Sequence, residues 1–128
     1  MPVSAAVSLD SIASDINPMH EKMTNALRAL AMDAVEKAKS GHPGMPMGIA
    51  DVATVLWSKF LRFDAKNPTW PDRDRFIMSP GHASALLCAL TYATGFEKMT
   101  IEEIKNFRQL GSLAPGHPEV DPELGVEM

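Results

Sequence analysis

The chain has 128 residues, enough for one compact unit with a buried core, and its 45% hydrophobic and 22% charged content is that of an ordinary globular protein. A net charge of -4 argues against a nucleic-acid surface or an anionic membrane surface, although a positive pocket for a phosphorylated ligand fits on an acidic protein. A single cysteine, Cys88, rules out an internal disulfide, and no apolar run approaches the length of a membrane span. Residues 1–18 are small and polar, without the basic start and apolar middle of a secretory signal, and read as a loose leader on a cytoplasmic protein. A helix is predicted over residues 19–40, where Leu27, Leu30, Ala31, Ala34, Val35 and Ala38 recur at helical spacing. Lys37 and Lys39 suit its carboxyl end, and Gly41 is placed to stop it.

Gly41-His42-Pro43-Gly44-Met45-Pro46-Met47-Gly48 holds three glycines and two prolines, and reads as irregular chain. A second helix is expected over 49–60, with Ile49, Val52, Val55 and Leu56 on one side. Trp57 and Phe60 fit a core face. Residues 67–72 read as a loop, and the short apolar run 75–79 as a buried strand. A helix starting near Gly81 or His82 carries Leu86, Leu87 and Leu90. Thr100 with Glu103 forms a capping-box pattern opening a helix with Ile101, Ile104 and Phe107, and the chain beyond Leu110 reads as loop.

One short pattern recurs: Gly41-His42, Gly81-His82 and Gly116-His117, each beside proline and each in a loop or at a helix start. Glycine lets backbone approach a ligand, proline holds the loop still, and histidine moves protons near neutral pH or donates to phosphate and alkoxide oxygens. Taken singly, a loop histidine is ordinarily a hydrogen-bonded surface residue. Three such loops suggest a site for an anionic or hydroxylated ligand. His82, at a helix start, would point with the backbone N–H groups toward a phosphate. The spacings of 40 and 35 residues are not those of a short zinc motif. His20, outside any Gly-Pro context, reads as solvent-facing. Cys88, among leucines, reads as buried packing. Trp70 reads as packing over a helix end, and Glu119, Asp121, Glu123 and Glu127 as a solvated acidic loop.

The order of Arg28, Met32 and Asp33, then Ser40-Gly41-His42-Pro43-Gly44, then Met47-Gly48, resembles the amino-terminal signature of the transketolase family. Two further stretches continue the resemblance in order. One is Asp72-Arg73-Asp74-Arg75-Phe76-Ile77-Met78-Ser79 with Gly81-His82. The other is Asn106-Phe107-Arg108-Gln109-Leu110 with Pro115-Gly116-His117-Pro118-Glu119. It covers about residues 23–127. The resemblance implies an α/β fold, with residues 19–128 the first, incomplete part of the thiamine-diphosphate-binding domain, mostly helices around one or two parallel-sheet strands. It implies a homodimeric enzyme that moves a two-carbon ketol unit from a ketose phosphate to an aldose phosphate. His42 would contact a substrate hydroxyl or carbonyl oxygen, His82 would lie near the cofactor diphosphate, and His117 would reach cofactor and donor hydroxyl.

Pro80 stands where many relatives carry Asn, and Leu113 where they often carry a basic residue. A Gly-Pro-Leu-Gly-Gln-Gly segment is absent, as are the later Gly-Asp-Gly motif and downstream Asn that supply ligands for Mg²⁺ or Ca²⁺. The later glutamate that helps generate the cofactor carbanion is missing too, along with the basic residues that grip substrate phosphate. The resemblance therefore implies that this chain alone performs no ketol transfer, and that metal ligands come from outside it. Dihydroxyacetone synthase and 1-deoxyxylulose-5-phosphate synthase are related alternatives. The Pro-Gly-His-Pro-Glu stretch favours transketolase without separating it cleanly from the former. A non-catalytic fragment docking on a transketolase-like partner or complementary chain is the alternative of another class. Without its sheet and covering partners, the isolated chain is expected to be poorly soluble or marginally stable.

Overall fold

The computed structural model describes residues 18–127; the expected leader, apart from Pro18, lies outside them. Among the described residues, four α-helices form the frame: α1 (Pro18–Ala38), α2 (Gly44–Val55), α3 (Ser84–Ala93) and α4 (Ile101–Lys105). A π-helical turn (Leu56–Phe60) extends α2, a 3-10 turn (Gly81–Ala83) leads into α3, and a second 3-10 turn (Pro122–Leu124) lies near the carboxyl end.

The centre is α3, whose residues from Ser84 to Thr91 are all buried. A helix that is apolar all round has no solvent face and must be enclosed by its neighbours. The hydroxyl of Thr91 avoids an unpaired polar atom in this core by donating to the carbonyls of Leu87 and Cys88, at 3.0 and 3.2 Å. The α1 face is the predicted one: Leu27, Ala31 and Ala34 are buried, with Leu30, Val35 and Ala38 packed beside them. Its end is a little earlier than expected. Lys39 takes the left-handed conformation (φ 52°) directly after Ala38, ahead of Gly41.

The α2 region departs from the sequence reading in three respects. The helix starts at Gly44, inside the run read as irregular. Pro46 is tolerated there because the first turn's N–H groups have no intrahelical partner, so the missing donor costs nothing. The buried face is Pro46, Ala50, Ala53 and Thr54 rather than the aliphatic side. Small residues let α1 and α2 approach closely, and Thr24 donates to Thr54 across the buried seam at 3.1 Å. Val52 is left 61% exposed. Trp57 is buried as expected, but Phe60 is 68% exposed because the wider π turn rotates it off the core-facing line.

Residues 73–78 form no helix and have no ladder partner, and the described residues contain no strand, only an isolated antiparallel bridge between Asp121 and Val126. Met78 is buried while its neighbour Ile77 is 62% exposed, the alternation of a strand that packs on one side only. An aromatic cluster of Trp57, Phe63, Phe76 and Phe96 closes the core beside this segment. Trp57 meets Phe63 edge-on at 5.0 Å, and Phe63 stacks on Phe96 at 5.9 Å. Glu127 belongs to this corner rather than to a solvated loop. Its carboxylate accepts two bonds from the Arg73 guanidinium, at 2.6 and 3.1 Å, with both side chains largely covered. Asp121 accepts from the Glu123 N–H at the last 3-10 turn, and Glu123 pairs with Lys98.

Half of the expected capping box forms. Thr100 Oγ1 accepts from the Glu103 N–H at 3.3 Å, but the Glu103 carboxylate instead takes the Leu113 N–H at 2.7 Å. The side chain that would have closed the box thus ties the loop after α4 back onto it. His20 is another correction: its ring is largely covered, with Nε2 3.5 Å from Asp51 Oδ1 and 3.4 Å from Thr24 Oγ1. The Arg28 guanidinium, donating to Asp51 at 2.6 Å, holds that carboxyl below its usual range.

Burial pushes the Cys88 thiol up to about 12 from an ordinary 9.0. The folded thiol therefore keeps its proton where the unfolded one loses it, and stability declines as pH rises from 9.0 toward about 12. A thiol reagent at pH 8 is expected to label Cys88 only when urea unfolds the chain, and a Cys88→Ala variant to lose this part of the alkaline decline. Native labelling at the unfolded rate would contradict the burial.

Candidate functional site

The three Gly-His loops converge on the amino-terminal end of α3. The first, at Gly41-His42, follows α1 and is pressed against the core. Gly41 has φ 135°, and a Cβ there would lie 2.9 Å from Val35 Cγ2 and 3.1 Å from Phe107 Cε1. Only glycine fits both that conformation and that space. The second, at Gly81-His82, is the 3-10 turn entering α3. Its Ala83 N–H donates to the Pro80 carbonyl at 2.9 Å, so proline at position 80 supplies an acceptor and its missing N–H is not needed. The third, at Gly116-His117, is carried by the loop after α4.

The imidazoles of His42 and His82 meet edge to face, with centroids 5.1 Å apart. His117 Nδ1 lies 4.0 Å from the position a Cβ on Gly81 would take. All three histidines are exposed, so they line an open surface rather than fill a core. No side chain caps the amino end of the 3-10 turn or of α3. Ser84, the first residue of α3, donates to the Gly116 carbonyl at 2.8 Å instead, binding the third loop to the helix. The start of α3, with the positive end of its helix dipole, thus lies beside the second and third Gly-His loops.

The motif reading found the histidines but gave no role to Ser40, Ser84 or Arg108. Arg108 Nη1 donates to Ser40 Oγ at 2.6 Å, next to the first loop, while its guanidinium lies against Gly116 in the third. Arg108 was visible only as one letter of Asn-Phe-Arg-Gln-Leu; its reach across 68 positions has no local signal in the sequence.

Residues 19–128 match the family model described as "Transketolase, thiamine diphosphate binding domain". The chain belongs to this family. A transketolase of Rhodobacter capsulatus is 59% identical over 110 residues, which is 86% of this chain and 16% of that protein. Transketolase 1 of Escherichia coli K12 is 58% identical over 107 residues, covering 84% of this chain and 16% of the relative. Among solved structures, the transketolase of Campylobacter jejuni superposes with a TM-score of 0.81 at 48% identity, over 86% of this chain and 17% of that one. The chain thus spans about one sixth of the length of these members of the transketolase family.

The residues present fit the diphosphate end of the cofactor that gives the domain its name. A helix start without a side-chain cap, beside three exposed histidines, offers a favourable dipole and imidazole donors to an anion. Among the described residues, no group of three or more His, Cys, Asp or Glu side chains is close enough to share a metal.

Proposed function

We propose that this chain is the amino-terminal portion of a transketolase, contributing part of the thiamine diphosphate site of an enzyme that transfers a two-carbon ketol unit between sugar phosphates. The observation that carries the reading is the convergence of His42, His82 and His117 at the uncapped start of α3, inside the family-matched region. When bound, thiamine diphosphate supplies the nucleophilic carbon and the electron sink for C–C cleavage. His82 and the positive end of the α3 helix dipole would hold a diphosphate oxygen. His117, beside Gly81, reaches from cofactor to the donor's terminal hydroxyl. His42, against His82, binds a substrate hydroxyl or carbonyl oxygen and exchanges its proton. A Mg²⁺ or Ca²⁺ ion anchoring the diphosphate would take its ligands from outside these residues, in a cytoplasmic homodimer. The segment 73–78 joins a parallel sheet built with chain beyond this piece.

The test is a chimera in which residues 19–128 replace the matching segment of a full-length relative. The chimera is expected to transfer ketol units with added thiamine diphosphate and Mg²⁺, and the 128-residue chain alone to show none. His42→Ala and His117→Ala should each lower kcat/KM roughly 100-fold. His82→Ala should raise the cofactor requirement roughly tenfold, the worth of one hydrogen bond to a charged group. A folded, dimeric chimera without activity, or variants indistinguishable from it, would sink the reading.

A second reading, a non-catalytic piece that docks on a transketolase-like partner, draws on the open apolar face of α2. There Val52, Val55, Leu56 and Phe60 line a groove of about 670 Å³ with His20 and Arg28 at its edge. The intact mass of the native product separates the two. A mass several times 13.9 kDa supports the enzyme, and one near 13.9 kDa supports docking or a complementary chain.

A further inference from the structure

We propose that Arg108 is the positioning residue of this site, a clamp that fixes the first Gly-His loop against the third. The inference rests on reading the three loops as one site, but not on which ligand fills it. Arg108 is held in a costly state. Its φ of 62° is left-handed, a region that side chains other than glycine seldom occupy. Its Nε is buried with no hydrogen-bond partner among the described residues. Strain and an unpaired donor at one residue persist where the surrounding contacts over-determine it.

Those contacts are specific. The Arg108 N–H donates to the Ala114 carbonyl at 2.9 Å, folding the 108–114 segment so that the third loop returns over the side chain. The guanidinium then fills the space beneath Gly116, where a Cβ would lie 2.6 Å from Nε and 3.0 Å from Cζ. Its far end donates to Ser40 Oγ at 2.6 Å, two residues before His42. The Phe107 ring, 5.9 Å from Cζ, supports it from the core side. The guanidinium reaches Ser40 with one nitrogen while the rest of the group packs against Gly116; a lysine ammonium is a compact point charge that lacks that second contact. Ser84 makes the separate link between the third loop and α3. Two independent ties therefore set the histidines. Arg108 places His42, and Ser84 places His117.

The experiment uses the full-length chimera, with isotope-labelled histidines assigned by single His→Gln variants and far-UV circular dichroism as the folding control. The unmodified chimera should show cross-relaxation between the His42 and His82 ring protons, and between the His117 ring and the Gly81 α-protons. Arg108→Lys and Ser40→Ala should each lose the first contact and keep the second. Ser84→Ala should do the reverse, and Ser40→Thr, which retains the hydroxyl, should keep both. If Arg108→Lys fails to fold, Ser40→Ala alone decides. Folded Arg108→Lys and Ser40→Ala chains that keep the His42–His82 contact, or that lose both contacts together, would overturn the proposal. An inactive chimera would sink the functional reading and leave this one standing.

Discussion

Replacing Phe107 by alanine is expected to lower the stability of the chain by about 4 kcal/mol, the range for deleting a fully buried aromatic side chain. Phe107 is among the largest side chains with essentially no exposure, sitting just beyond α4 where core and site meet. One edge of its ring packs where a Gly41 Cβ would be, and Arg108 lies over it. Truncation removes the transfer free energy of the ring and leaves a cavity that rigid neighbours cannot fill. It also withdraws the wall against which the first and third loops rest. Urea unfolding followed by the fluorescence of the buried Trp57 measures the loss, and a variant already unfolded without urea has lost at least the whole stability of the parent chain. A shift in midpoint equivalent to less than about 1 kcal/mol would mean that the site relaxes to fill the space.

Gly41→Ala is expected to cost about 3 kcal/mol, with two causes that can be separated. The first is conformational: φ 135° is open to glycine and strained for any residue with a Cβ. The second is steric, from Val35 Cγ2 at 2.9 Å and Phe107 Cε1 at 3.1 Å. The double variant Gly41→Ala/Phe107→Ala tests the division. Removing the ring relieves one clash but neither the φ strain nor the contact with Val35. The combined loss should therefore fall short of the sum by roughly 1 kcal/mol. Strict additivity would mean that the ring does not crowd position 41 and that the backbone conformation alone requires glycine. The same variant should displace His42, because the strained peptide immediately precedes it.

Both predictions concern the ground between core and site, where the reading of residues was weakest. Leu27, Ala31, Ala34, Leu86, Leu87 and Leu90 were legible because burial follows helical period, which is a local property. The three Gly-His loops were legible as a repeated local pattern, and the family as an ordered series of such patterns. The buried face of α2 was not legible because aliphatic bulk points to Ile49 and Val52, whereas close approach to α1 selected Ala50 and Ala53. Periodicity shows that a helix has faces; which face is covered depends on what packs against it. Phe60 turned outward through a π turn that no residue preference announces. The strand read at 75–79 is not formed among the described residues, because a strand exists only with a neighbour to pair with.

By itself, then, the sequence determined the helices α1 and α3, the apolar stripe of α1, the motif positions of the three histidines and, through their order, the family. The tertiary structure alone decided that His42 and His82 touch and that His117 comes up beside Gly81. It also decided that Ser84 and Arg108 link the loops that hold the histidines. The physical reason is range. Helical period and turn chemistry are written within a few neighbouring residues, whereas a bond from Arg108 to Ser40 requires α1, α3 and α4 to have packed already.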